Sequence, residues 1–485
     1  MYISPISQTA SQNINTKGYL KDRRFLMREY KIASFNLNSV RNAKNQAEYD
    51  NITQKFKTFI ASNKIKAFIC EIPNFLTYMI NRRDMLAKKH LKGLSNSLFR
   101  YFNNLTFNFD GQELSDADFM MNLQKISDPQ KRKEYLKGYM QKIEDSGINN
   151  RLSALIMHHN EYAKKNGYKN YFEYQLKQQH NLSVEELDKM IEDFYQNNNV
   201  YERLKTLNES ISKEYGIKES EISHQYYINL FSPDEINKFI KSSKQIYELT
   251  KNCLTSMGFD IDKLEKERKI IYNIYPQEGA TNDTCCQYID KNLVGIKANL
   301  GKTVDSFSYL MHEMGHAMYR LNSPTKNLNN GFNEGVALLF EKIFEKESLL
   351  NETVPKDILE DYKKNQEIRS LIRICKNISI LQTEREMYEN PNQEFREIAE
   401  KNNRKYCLNN SDFWFVPHYI AKPCYYSNYF IGAMYANQLY DSLHNKLGTE
   451  LCNNKKTAKL LQSKLFGWGN FMNKKLFDYM FNKTK

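Results

Sequence analysis

His312-Glu313-Met314-Gly315-His316 carries the sharpest chemical signal in this chain. On a helix, residues four apart share one face, so His312 and His316 can present both imidazoles to one metal ion. Glu313, beside the first histidine, is placed to act as general base toward a water on that metal. The chain has nine histidines in 485 residues. A chance match to H-E-x-x-H somewhere in it therefore has odds of about one in a hundred. The plain alternative is a surface helix that happens to carry two histidines. A hydrolytic zinc site needs a third protein ligand and an open fourth position. The next periodic segment, Gly331-Phe332-Asn333-Glu334, supplies a carboxylate at Glu334. Glu341, two turns further along the same face, is a candidate to orient a ligand histidine. It is equally suited to a surface ion pair with Lys342 or Lys346. The metal expected is one zinc ion per chain.

These residues need particular elements to hold them. Asp305 is the expected N-cap of the first helix. Val304, Phe307, Leu310, Met311, Met314, Ala317, Met318 and Leu321 form its broad apolar stripe, so the helix is expected to be largely buried. Asn322, Ser323, Pro324, Asn327, Asn329, Asn330 and Gly331 read as a loop. A second helix then follows with Glu334 in its first turn. Upstream, Thr284 to Asp290 and Leu293 to Leu300 read as a short hairpin around Lys291-Asn292. Extended peptides often bind by adding to a strand edge, which makes Cys286 and Tyr288 candidate substrate contacts. A hairpin that only braces the metal helix is the alternative. Cys285 and Cys286 lack partners at C-x-x-C spacing, which argues against a second metal site.

Asp305 to His316 followed by Gly331 to Glu334 resembles the gluzincin zinc metallopeptidases of the angiotensin-converting-enzyme and thimet-oligopeptidase type. Thr303-Val304-Asp305 matches a Thr-x-Asp that precedes H-E-M-G-H in the converting-enzyme family, and Gly331-Phe332-Asn333-Glu334 matches its Gly-Phe-x-Glu. Asn160 to Tyr171 is similar to a helical segment common to these families. His418 to Phe430 is similar to a stretch in which a histidine and tyrosines contact the substrate and the oxyanion. The resemblance spans roughly residues 120 to 445 and implies His418, Tyr426 and Tyr429 as catalytic residues. Each tyrosine has a packing role as its alternative, in a chain with 33 tyrosines, and His418 could equally be a satisfied core histidine. There are departures. The loop between His316 and Glu334 is shorter than in the family. Val416 stands where the converting enzymes have a lysine that holds the substrate's C-terminal carboxylate. Tyr426-Ser427-Asn428-Tyr429 lacks their chloride-binding arginine.

The chemistry implied is peptide hydrolysis. Bound zinc would activate a water and polarise the scissile carbonyl. Glu313 would take the proton and pass it to the leaving amine. The developing oxyanion needs donors already in place, and a phenol or an imidazole N–H supplies one without a competing negative charge.

Long periodic segments such as Val184 to Asn197, Pro233 to Ser256 and Ser370 to Met387 predict a mainly α protein. The fold class expected is a two-lobed, largely helical peptidase fold around a deep channel, with a small sheet next to the zinc helix. Residues 1–22 are expected to be a polar, disordered leader. Residues 23–485 are expected to form one helical domain, with lid-like helices over 23–120 and a catalytic core over 121–485. The lid role is an analogy with the related families. The net charge is +13. It is spread along helices with no accompanying binding motif, which argues against nucleic acid as a partner. No run reaches the length of a membrane span. The eight scattered cysteines, with no signal peptide, predict free thiols in a cytoplasmic protein. Such a polar leader also occurs on bacterial proteins exported by injection machines. The expected partner is a short or unfolded peptide, and the missing lysine at Val416 favours an oligopeptidase. Lys422 keeps carboxypeptidase and dipeptidyl carboxypeptidase activities open. A protein that captures peptides without cutting them is the alternative from a different class. The sequence does not fix the oligomeric state.

Overall fold

The computed structural model describes residues 16–62, 82–109, 111–277, 284–290, 292–323, 329–347, 349–406, 414–448 and 450–467. Helices predominate among them, with one two-stranded and one three-stranded sheet. No described helix is long and apolar enough to cross a membrane. The six cysteines among the described residues are free thiols. Two compact units are present. One joins the N-terminal helices, through Lys88, with Asp260–Gly301; the other joins Lys89–Phe259 with Lys302 onward. The sequence led us to expect one domain over 23–485, with lid-like helices over 23–120.

In the first unit, the helix Thr16–Ser39 begins inside the stretch expected as a leader. Residues 1–15 lie outside the described residues. Extending a helix that is already anchored costs little per residue. The anchor is Phe35, which packs with Ile289 and Leu293, flanked by Ile32 and Ile271. The hairpin is present as Cys285–Asp290 paired antiparallel to Leu293–Lys297. Its turn residue Lys291 lies outside the described residues. A third strand, Ile270–Asn273, pairs parallel to Leu293–Lys297 and makes that strand central. All five residues of the central strand are buried. Gly295 on it lies under the Phe35 ring, where a β-carbon would fall 2.5 Å from the ring edge. Cys286 and Tyr288 lie on the edge strand Cys285–Asp290.

The second unit holds the H-E-x-x-H segment. The helix Val304–Asn322 carries it, and its N-cap is Thr303 rather than Asp305. Thr303 Oγ1 accepts the Ser306 N–H at 3.2 Å, a bond that a residue already inside the first turn cannot make. Asp305 instead pairs with Arg369 at 3.0 Å. Thirteen residues of this helix are buried, as its apolar stripe requires. The returning helix, Asn330–Lys346, is capped by Asn329, whose Oδ1 accepts the Phe332 N–H at 2.9 Å. Glu334 therefore enters its second turn rather than its first. Residues 324–328 of the intervening loop lie outside the described residues.

Val184–Asn197 is one helix with the expected ends, closed by a capping box at Ser183 and Glu186. Pro233 to Ser256 is not one segment. It forms a short turn of helix at Asp234–Asn237 and a separate helix Ser243–Ser256, because Ser242 caps the second by accepting the Gln245 N–H. Ser370 to Met387 belongs to a 34-residue helix, Lys356–Glu389. Asn160 to Tyr171 is likewise no single helix. Ile148–Lys165 ends at Asn166, Gly167 turns with φ +84°, and Asn170 caps Tyr171–His180.

Candidate metal centre

Close packing of three helices builds the site. Gly315, inside the H-E-x-x-H segment, lies against the returning helix, where a β-carbon would fall 2.8 Å from the Ala337 Cα. On its other side the returning helix meets Tyr426–Leu447, the tyrosine helix. A β-carbon on Gly432 there would lie 2.9 Å from the Glu334 Cβ and 3.0 Å from the Gly335 nitrogen. Glycine at both contacts lets the backbones approach, which delivers Glu334 to the two histidines. Gly432→Ala is expected to destabilise the fold by about 1–3 kcal/mol through overpacking. Because the clash falls on Glu334 and its backbone, zinc affinity is expected to fall as well. Thermal unfolding with and without zinc reads both; unchanged zinc stabilisation would mean that Glu334 does not depend on this contact.

His312, His316 and Glu334 each offer one ligand atom, and these atoms lie within 4.8 Å of one another. Glu334 Oε2 is 3.6 Å from His312 Nε2 and 3.7 Å from His316 Nε2. Zinc–ligand bonds of about 2.0–2.1 Å in a tetrahedron put neighbouring ligand atoms roughly 3.3 Å apart. The cluster is thus wider than a closed zinc site, and side-chain shifts would be needed to close it onto one ion. Glu334 Oε2 is buried with no hydrogen-bond partner among the described residues, although Glu334 is only 5 % exposed. An orphaned carboxylate oxygen facing two imidazole nitrogens fits a zinc ion that completes its bonding.

The charges agree with that arrangement. Burial disfavours a charge on His312, but the nearby Glu334, Glu341 and Glu313 carboxylates outweigh it and raise His312 to about 10. Burial, aided by the His312 charge, lowers His316 to about 4, although Glu334 opposes this. Burial pushes the Glu334 carboxyl up, yet the histidines and the Tyr425 hydroxyl pull it down to about 2.

Glu341 lies behind His312, with Oε2 3.2 Å from His312 Nδ1. It also accepts a hydrogen bond from Arg373, which stands 3.9 Å from Glu345. Its cation is thus Arg373, on the long helix. Lys342 bonds Asn437, and Lys346 pairs with Glu367 at 3.0 Å. Glu341 fixes which His312 nitrogen points into the cluster. Glu341→Ala is expected to weaken zinc binding by about 10- to 100-fold, read by competition with a chromogenic chelator. Unchanged affinity would show that His312 needs no such support.

The aromatic residues surround Glu334. Tyr425 donates its hydroxyl to Glu334 Oε1 at 2.6 Å. Its ring lies 5.2 Å from Tyr429, and His418 lies 5.7 Å from Tyr426 and 6.3 Å from Tyr429. Burial raises the Tyr429 hydroxyl, with further contributions from the Glu334, Tyr426 and Glu313 charges. Tyr426 is raised by burial and then by Glu384, a different carboxylate. Burial lowers His418 to about 4, helped by Lys422 and opposed by Glu334. The structure thus gathers His418, Tyr426 and Tyr429, with Tyr429 the one that senses both Glu313 and Glu334. Cys286 and Tyr288 belong to the first unit, whereas the cluster belongs to the second. Sequence reasoning missed Tyr425. It stood in the quoted stretch beside Tyr426, but nothing in the spacing shows which of two adjacent tyrosines turns toward Glu334. Arg373, 32 residues beyond Glu341, carried no local signal.

Neither a protein-family model nor a curated protein matches the sequence. Among solved structures, PZ peptidase A with inhibitor 2 is similar in fold. The TM-score is 0.60 over 97 % of this chain and 93 % of that one, at 15 % identity. The mainly helical architecture with small sheets is thus shared with a peptidase.

Proposed function

We propose that this chain is a zinc-dependent peptidase that hydrolyses short or unfolded peptides. The observation that carries the proposal is the cluster of His312, His316 and Glu334 with an orphaned buried carboxylate oxygen at its centre and Glu313 alongside. The fold shared with a peptidase adds support. Zinc held by these three residues would supply an activated water and a polarised carbonyl. Glu313, 7 % exposed, takes the proton and returns it to the leaving amine. Tyr429 and His418 offer donors to the developing oxyanion. Tyr425 holds the outer oxygen of Glu334 and so fixes which oxygen faces the metal.

Val416 in place of a carboxylate-binding lysine favours internal cleavage. A specific observation supports carboxypeptidase action as a second reading. The exposed Lys422 places its Nζ 4.8 Å above the Tyr425 ring and lowers His418 by its charge. Its ammonium could pair with a peptide's C-terminal carboxylate. A mass-spectrometric product map with peptides in free-acid and C-terminally amidated forms separates the two. Internal cuts in both forms are expected. Loss of terminal residues from free acids alone would assign the second reading. Tight peptide binding with no products from either form would instead identify a non-cleaving binder.

A further inference from the structure

The turn that joins the short helix His418–Ala421 to the tyrosine helix sets the direction of the aromatic side chains. Cys424 in this turn has φ +60°, a left-handed conformation that non-glycine residues adopt only under constraint. Its N–H donates to Glu384 Oε1 at 2.6 Å. Its carbonyl accepts from Ser427 Oγ at 3.0 Å, and that hydroxyl meets His180 Nε2 at 3.2 Å. The next residue is Tyr425, whose hydroxyl reaches Glu334.

Glu384 lies on the long helix Lys356–Glu389 and is 2 % exposed. Its second oxygen, Oε2, has no hydrogen-bond partner among the described residues. The ionisable groups around it are Tyr388 on its own helix, Tyr171, Tyr419, Tyr426 and Cys424. None of them is a cation. A carboxyl buried among phenols and a thiol, bonded through one oxygen, destabilises a fold by itself. Leucine or methionine would pack there at lower cost, so the carboxyl's contribution is its acceptor.

We propose that Glu384 is a positioning residue for the zinc site: by holding the Cys424 N–H, it fixes the left-handed turn that aims Tyr425 at Glu334 and sets Tyr426 and Tyr429 beside His418. Only the kinetic part of this proposal rests on the peptidase reading. The link through Tyr425 to a metal ligand makes zinc affinity a readout that needs no turnover.

Three variants test it. Glu384→Leu removes the acceptor, and Glu384→Gln keeps one for the Cys424 N–H. Glu384→Leu combined with Cys424→Gly lets the turn form without the clamp, because glycine adopts positive φ freely. Glu384→Leu is expected to weaken zinc binding and to lower kcat by about 10- to 100-fold, the range for groups that orient a ligand. Glu384→Gln is expected to stay near wild type, and the double variant to recover most of the lost zinc affinity. Equal behaviour of the Leu and Gln variants, or no recovery with glycine, overturns the proposal.

A pH measurement decides the matter if the leucine variant does not fold. Burial raises the Glu384 carboxyl from 4.5 to about 8. Between those values the folded chain keeps a proton that the unfolded chain has released, so wild-type stability falls as pH rises through this window. Glu384→Gln lacks that loss. Its Tm advantage over wild type is expected to grow from pH 4.5 to about 8 and then level off. A gap that does not change with pH would mean that Glu384 is not the buried clamp, and would overturn the proposal. If the wild-type protein cuts no peptide, the peptidase reading fails while the zinc-affinity and pH measurements still judge Glu384.

Discussion

Replacing Glu313 with Gln is expected to lower kcat/KM for peptide hydrolysis by about 10²- to 10⁴-fold while leaving one zinc per chain in place. Glu313 follows His312 directly but is not part of the three-residue ligand cluster. The amide has the carboxylate's shape, so the buried helix Val304–Asn322 tolerates it. What it lacks is the capacity to take a proton. The Glu313 carboxylate is also the smallest of the charges that, after burial, raise the Tyr429 hydroxyl. Metal content by mass spectrometry and single-turnover kinetics check the two halves separately. Undiminished turnover with zinc bound would remove Glu313 from the role of general base.

Glu334→Ala is expected to have the largest effect on the metal. It removes the only carboxylate among the three ligands. It also deprives the Tyr425 hydroxyl of its acceptor. Zinc affinity is expected to fall by more than about 100-fold, beyond the range typical of groups behind the ligands. The metal-free fold should weaken too. The histidines and Tyr425 hold Glu334 near 2, below its usual 4.5. A depressed carboxylate contributes stability that is present above pH 4.5 and is lost as pH falls toward 2. Wild type should therefore be more stable than Glu334→Ala at neutral pH, with the gap closing in acid. Zinc, which raises the Tm of wild type by binding the folded state, should leave that of the variant unchanged. Normal zinc stabilisation of Glu334→Ala would place the third ligand elsewhere.

The cluster of His312, His316 and Glu334 was legible in the sequence because helical periodicity is local. His312 and His316 need only a helix to share a face, with Glu313 next to the first of them, and Glu334 needs only a returning helix. The sequence also suggested Glu341 as a support for His312, but not its cation, since Arg373 comes from a distant helix. Asp305 suited the N-cap by residue type as well as Thr303 does, and only the position of the first turn separates them. The third strand, Ile270–Asn273, escaped because its parallel partner is the hairpin's second strand, beyond Cys285–Asp290, and such pairing leaves no short-range pattern. Gly432 and Gly335 read as ordinary helix residues, although their missing β-carbons allow the closest approach at the site. Glu384 carries no local sequence signal. Its burial depends on how the turn at Cys424 folds back, which no periodicity records.

A zinc titration of the metal-free protein, followed by peptide hydrolysis and bound metal together, tests the central claim most directly. The account predicts activity that rises linearly to one equivalent of zinc, disappears with a chelator, and is absent from Glu334→Ala throughout. Hydrolysis by the metal-free protein, or full zinc occupancy at His312, His316 and Glu334 with no peptide cut, would contradict it.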